Sequence, residues 1–317
     1  MLKKELNYDY WLSLWMHSKK LSVKESTYIR YRNLVHNHIS PELGKFSIDK
    51  ISTQIMEQFV TDKLNKGRLD GNGGLSPKSV SDIMTIVKES FEYADFYGET
   101  TTCCFKRISF RKITAKIRIL NYEDEKKLLS VLYNNFDRYK LGVFICLYTG
   151  IRIGELCALQ WKDIFLNESV IKIERTVQRL QSQNPDELRK THLIVTEPKS
   201  YSSIRTIPMP SFVFELVKSF ADEPDAYILT GNSNTLIEPR TMQNKFKAYL
   251  REANIENINF HALRHTFATR CVEAGFDIKT LSEILGHSSV KITLDKYVHS
   301  SMKLKRSNME KLRPAIE

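Results

Sequence analysis

No apolar stretch in this chain approaches the roughly 18 residues that a membrane-spanning helix needs. The opening Met1-Leu2-Lys3-Lys4-Glu5-Leu6-Asn7 also lacks the continuous apolar segment of a secretory signal. A folded, soluble, cytoplasmic protein is expected. Cysteine is sparse: Cys103, Cys104, Cys146, Cys157 and Cys271 form an odd set without metal-ligand spacing, and the apolar surroundings of Cys146 and Cys157 suggest buried thiols. No disulfide framework follows, and the adjacent Cys103-Cys104 pair reads as two reduced thiols rather than a redox switch. A His-Glu-x-x-His signature is missing as well. His261 and His265 stand four apart and could form half a zinc site with His287 or Cys271. Yet Arg264 would put a fixed charge beside the metal, and no metal or other cofactor is expected.

What is present points to a polyanion. The 317 residues, 42% hydrophobic, suffice for two domains with separate cores. Lys and Arg number 48 against 37 Asp and Glu, a net charge of +11, which favours nucleic acid as partner. Between Lys106 and Arg118 there are six basic residues (Lys106, Arg107, Arg111, Lys112, Lys116, Arg118) and no acidic one. Such a segment reads either as a solvated linker or as a strap across a DNA backbone, each phosphate contact adding about 0.9 to the salt slope of binding. These six, with Arg205, are the candidate DNA contacts.

Apolar spacing places a first helix over 6–14, a second from Ser26 toward Pro41 and Gly44, a third over 52–64 and a fourth from Ser76-Pro77 through Ala94. Residues 1–100 thus form an all-helical domain, 101–118 the basic linker, and 119–317 a second domain. Asn121 with Asp124 caps that domain's first helix, and a buried helix over 141–148 leads into Thr149-Gly150. The alternation Ile171, Ile173, Arg175, Val177 predicts one strand, 193–195 and 203–207 two more, with 178–192 a projecting loop and Lys199 in a tight turn between the last two strands. Beyond Pro239 the pattern is helical.

The chemistry sits in the second domain. Attack on a phosphodiester drives negative charge onto its non-bridging oxygens, and arginine meets that charge with a planar two-pronged donor. Arg152 and Arg264 make a plausible clamp, with Glu155, one helical turn after Arg152, orienting it. A tyrosine nucleophile, with a pKa near 10, needs roughly 4 kcal/mol to ionise at neutral pH. A base and fixed cations must offset that.

Thr149-Gly150-Ile151-Arg152-Ile153-Gly154-Glu155-Leu156, Pro198-Lys199-Ser200, His261-Ala262-Leu263-Arg264-His265 and Leu285-Gly286-His287, with Tyr297 ten positions later, together resemble the tyrosine recombinases, the phage integrase family. The words Thr27-Tyr28, Tyr31, His38-Ile39, Pro41 and Leu43-Gly44 are similar to its core-binding domain.

That resemblance implies a mainly α, two-domain protein forming a C-shaped clamp on DNA: a SAM-like helical domain and a mostly helical α+β catalytic domain with a small antiparallel sheet. It implies Tyr297 as nucleophile, His261 as general base, His287 as donor to the scissile phosphate and Lys199 as general acid, with His265 supporting. It further implies a 3′-phosphotyrosyl intermediate, inverted-repeat core sites in double-stranded DNA, a homotetramer on DNA, an accessory directionality factor, and a tail helix over 301–317 exchanged between protomers. The wording is most similar to integrases of phages and integrative elements, and the chain is expected to begin in the core-binding domain without an arm-binding module. Integration and excision, inversion, and resolution of replicon dimers stay open. So do a non-recombining DNA-binding protein of this fold and a relaxing enzyme of the type IB topoisomerase sort.

Overall fold

Asn7 starts the first helix by accepting the Tyr10 amide on its side chain, and α1 runs Tyr8–Ser22. It continues past the expected 6–14 because Trp15 and Met16 extend the buried stripe begun by Tyr8, Trp11 and Leu12. The computed structural model describes residues 6–111, 118–182, 191–197, 201–297 and 309–310. Its chain divides into two units, Met1–Ala115 with Leu180–Lys190, and Lys116–Arg179 with Thr191–Glu317.

In the first unit α2 (Glu25–Leu34) passes into a π-helical turn, Val35–Ile39, and a short α3, Ser40–Leu43. The sequence suggested a single helix here. Pro41 has no amide to give to an α-helical ladder, and the turn before it widens, with the Ser40 amide donating to the Val35 carbonyl. Ser52 and Ser76 cap α4 (Thr53–Lys66) and α5 (Pro77–Phe96) by accepting the Ile55 and Ser79 amides. Tyr8 lies at the centre, its hydroxyl 2.6 Å from Ser90 Oγ and its ring edge-on to Phe91 at 4.9 Å. Burial of Leu12, Met56, Ile83, Val87 and Phe91 contributes about 1.5–3 kcal/mol each. Tyr31 stacks on Trp15, Tyr28 is half-buried against the same core and His38 is buried, so these three pack the bundle. Cys103 is buried there too, and Phe105, Ile108 and Phe110 pack against it. Lys106, Arg107 and Arg111 therefore project, exposed, from an anchored segment.

The second unit begins with α6 (Tyr122–Tyr133), capped by Asn121, whose side chain accepts the Asp124 amide. The buried α7 (Arg138–Thr149) and short α8 (Ile153–Ala158) follow. The strands are β1 (Ile164–Phe165), β2 (Val170–Ile173), β3 (Thr176–Gln181), β4 (Thr191–Thr196) and β5 (Arg205–Pro208). They form two sheets: antiparallel β1-β2-β5, with Ile171 opposite Ile207 and Ile173 opposite Arg205, and a separate pair β3-β4.

Three expectations change. The alternation over 171–177 is two strands, broken where Arg175 turns to chelate Asp163 at 2.6 and 2.7 Å. At the two ends of the supposed loop 178–192, residues 178–181 and 191–192 are strand, while 183–190 lie outside the described residues. The stretches around 194 and 205 pair in different sheets rather than in one, and the turn expected to carry Lys199 lies outside the described residues.

Helices α9 (Ser211–Lys218), α10 (Pro239–Glu252), α11 (His261–Glu273), α12 (Ile278–Leu285) and α13 (Val290–Tyr297) complete the unit. One core joins Leu141, Phe144, Ile171, Ile207, Met242 and Phe246, and a smaller cluster joins Ala268, Cys271, Leu281, Leu285 and Tyr297. Cys146, Cys157 and Cys271 are buried free thiols. Among the described residues, no helix is long and apolar enough to cross a membrane. The expected tail helix over 301–317 lies outside the described residues except for 309–310.

Candidate active site

α7 ends on Gly150 in the left-handed conformation, φ 67°, with its amide closing onto the Cys146 carbonyl. A Cβ there would meet Phe267 Cδ1 at 2.5 Å, so only glycine fits. The turn aims the Gly150 carbonyl at Arg264, whose Nη1 donates to it at 2.8 Å. Two residues later Arg152 begins α8. Glu155 accepts the Arg152 amide at 2.8 Å and Arg152 Nη1 at 2.7 Å, so it orients both the backbone and the guanidinium. Glu155 is 3% exposed. Burial pushes its carboxyl up, but the Arg205 hydrogen bonds and the charges of Arg205 and Arg152 outweigh that and hold it below the usual range.

Helix α11 presents His261, Arg264 and His265 over one turn. Arg264 is 2% exposed, and its Nη2 donates to the Leu285 carbonyl at 2.6 Å. Burial, then the Arg152 charge, lowers its pKa to about 9, which leaves it cationic at neutral pH. The rings of His261 and His265 meet edge-on at 4.6 Å. Both pKa values fall to about 4, chiefly through crowding away from water and then through neighbouring positive charge, His265 and Arg264 acting on His261 and Lys296 and Arg264 on His265. His261 nonetheless keeps an exposed surface. Both imidazoles are neutral at pH 7 and able to accept a proton.

α12 ends on Gly286, again left-handed at φ 63°, and the chain turns into His287. His287 Nδ1 is 2.8 Å from the hydroxyl of buried Thr293 on α13. Burial, followed by Arg264 and Arg152, lowers the His287 pKa to about 3. Tyr297 is the last residue of α13 and 6% exposed. Its hydroxyl lies 2.8 Å from His265 Nδ1, and its ring is parallel to that of His287 with centroids 6.3 Å apart. Burial raises the phenol pKa, while Arg264, through charge and a hydrogen bond, and Arg152 pull it down.

Arg152, Glu155, His261, Arg264, His265, His287 and Tyr297 are thus gathered from four helices or their ends, α8, α11, α12 and α13. Lys199, Lys112 and Lys116 lie outside the described residues. Arg118 is ion-paired with Glu256. Arg205, grouped by sequence with the DNA contacts, is corrected by its position: it is 9% exposed, and its guanidinium is used inside the protein on Glu155 and on backbone carbonyls. Its inward parity with Ile207 on β5 was the available signal. The Thr293 contact was not anticipated, and nothing in a lone threonine announces it.

Residues 118–303 match the phage integrase family, and residues 8–64 match the phage integrase N-terminal SAM-like domain. The chain is 27% identical to a XerC-like tyrosine recombinase of Caldanaerobacter subterraneus, with 92% of this chain and 79% of that one aligned. It is 26% identical to the ICEBs1 integrase of Bacillus subtilis, over 91% and 77% of the two chains. Its fold is that of the Tn1549 transposon integrase solved with a circular intermediate DNA, at a TM-score of 0.77, 22% identity and coverage of 97% and 100%. Since the family match takes in more than half of the chain, from the start of α6 through Tyr297, this protein belongs to the phage integrase family and is a tyrosine recombinase.

Proposed function

We propose that this recombinase cuts and rejoins duplex DNA through a 3′-phosphotyrosyl bond to Tyr297, and that its task is integration and excision of a mobile element. The carrying observation is the Tyr297 phenol, hydrogen-bonded to a neutral histidine beside two buried or half-buried arginines. Arg152 and Arg264 hold the scissile phosphate and meet the charge that develops on it. With Thr293 donating to Nδ1, neutral His287 carries its proton on Nε2 and offers it to a non-bridging oxygen.

Ionising a free phenol at neutral pH costs roughly 4 kcal/mol, burial adds to that, and the guanidinium charges offset it. The proton passes to the imidazole pair: His265 touches the hydroxyl, and His261, the base implied by the family pattern, touches His265. The Tyr297 oxygen then bonds to phosphorus as the bond to the 5′ oxygen breaks, and that oxygen leaves with a proton from Lys199. A free 5′ hydroxyl and a phosphotyrosyl ester result. The ester conserves the bond for rejoining without ATP, and attack by another duplex's 5′ hydroxyl exchanges strands.

The full assembly is four copies on two inverted-repeat core sites, with the 301–317 tail shared between protomers. Similarity to the ICEBs1 integrase supports the mobile-element task.

The test is to incubate the full chain with fragmented DNA from its source organism, denature, and sequence whatever remains attached. Adducts at one inverted-repeat sequence at the edge of an element are expected, with none for Tyr297→Phe. Adducts persisting in that variant refute the nucleophile. A captured site inside a replicon-resolution locus or flanking an invertible segment refutes the integration task while leaving the chemistry intact.

A further inference from the structure

Three arginines grip three successive carbonyls at the end of α12. Arg205 Nε donates to Ile284 O at 2.6 Å, Arg264 Nη2 to Leu285 O at 2.6 Å, and Arg152 Nη2 to Gly286 O at 3.1 Å. A helix leaves its last carbonyls without internal partners, and they carry the negative end of its dipole, so cations belong there. The next residue is His287. Two of these arginines form the proposed phosphate clamp. The third, Arg205, comes from β5 and is buried.

Arg205 also forks onto Glu155, Nη2 to Oε2 at 2.8 Å and Nη1 to Oε1 at 3.2 Å, with a further bond from Nη1 to Ser203 O at 2.9 Å. Glu155 is the group that orients Arg152. The fit around this guanidinium is close: a Cβ on Gly286 would lie 3.0 Å from Arg205 Cδ, 3.1 Å from its Nη1 and 3.1 Å from Ser202 O. Lysine has neither the planar fork nor enough directed donors to make the same set of bonds.

Resting on the functional reading above, the geometry points to Arg205 as a positioning residue that fixes Arg152 through Glu155 and His287 through the Ile284 carbonyl. It sets the separation between the phosphate clamp and the histidine donor. A merely stabilising ion pair would act on folding, and a DNA contact on binding. A positioning residue acts on the cleavage rate and, through Glu155, on its pH dependence.

The experiment compares the wild type with Arg205→Lys, Arg205→Met, Glu155→Gln and the Arg205→Met/Glu155→Gln pair, on a synthetic duplex carrying the inverted repeat captured by wild-type adducts. Binding, its salt slope, melting temperature and the single-turnover rate of adduct formation are measured from pH 5 to 8. Arg205→Lys is expected to bind with an unchanged salt slope and to cleave roughly a hundredfold more slowly, the scale of an ångström-level misplacement. Arg205→Met removes the largest of the interactions that hold the Glu155 carboxyl down, so its rate gains an acid limb, which the paired Glu155→Gln change abolishes. The paired variant should lose little beyond either single one.

Wild-type cleavage by Arg205→Lys overturns the inference. So does a salt slope reduced by about one, which marks a DNA contact. A fall in melting temperature and binding that matches the loss of rate, with no new acid limb, marks a structural role instead. If Arg205→Met fails to fold, Arg205→Lys still decides between these outcomes. Failure of the wild type itself to form an adduct sinks the functional reading, and the positioning role with it.

Discussion

His265 Nδ1 stands 2.8 Å from the Tyr297 hydroxyl, joining residues 32 positions apart in the chain. The proposed proton path uses the tautomer of the neutral ring in which the phenol donates to Nδ1 and the imidazole carries its own proton on Nε2. His265→Ala should therefore slow adduct formation about a hundredfold or more, the usual range for a proton-transfer group. His265→Asn, which keeps a polar atom near the Nδ1 position, should recover part of the loss. Adding His261→Ala to His265→Ala should cost far less than the product of the two single losses, because the rings act as a unit. Single-turnover cleavage of a captured site measures all three, and an unimpaired His265→Ala contradicts the contact's role.

The three site histidines also make stability depend on pH. Their folded pKa values, about 4, 4 and 3 for His261, His265 and His287, lie below the unfolded value near 6.5. Between those limits the unfolded chain binds more protons, so the contribution to stability is complete above about pH 6.5 and is lost as pH falls toward 4. Melting temperature should drop on acidification through that window, and drop less steeply in a His265→Gln/His287→Gln variant. Parallel curves for the two proteins would show that these groups are not depressed.

Gly286→Ala places a Cβ at φ 63° and close against Arg205 and the Ser202 carbonyl. The left-handed backbone alone costs about 1–2 kcal/mol. Melting temperature should fall by several degrees and cleavage should fall further than stability alone explains, since His287 follows directly. Differential scanning calorimetry and cleavage assays on one preparation check this; an unchanged rate would mean that the turn does not govern His287.

Lys106, Arg107 and Arg111 are exposed cations on an anchored segment. If each meets a phosphate, replacing all three with Ala reduces the salt slope of DNA binding by about three times 0.9, roughly 2.7. Arg118, paired with Glu256, should contribute less. Titrations at several salt concentrations decide it, and an unaltered slope in the triple variant removes this segment from the interface.

The helical architecture was legible because its signals are local. Ser76-Pro77 opens α5 and Asn121 caps α6 as expected, and the apolar spacing of α1 and α5 gives the buried face directly. Strands were less legible: alternation reports which side chains point inward but not which strand is the partner, so Ile171 to Val177 passed for one strand although its two halves join different sheets. The proposed catalytic residues were legible through the family pattern and their chemistry. Arg205 and Thr293 were not, because their contacts to Glu155 and His287 arise from tertiary packing, and an arginine in a basic chain reads first as a surface cation.

The most direct measurement is mass spectrometry of the peptide that stays bound to DNA after denaturation and digestion, with end-labelling of the cut strands. A nucleotide joined through its 3′ phosphate to Tyr297, together with a 5′ end that accepts label without phosphatase treatment, is the predicted result. Attachment to another residue, or strands ending in a 5′ phosphate and a 3′ hydroxyl, would contradict it.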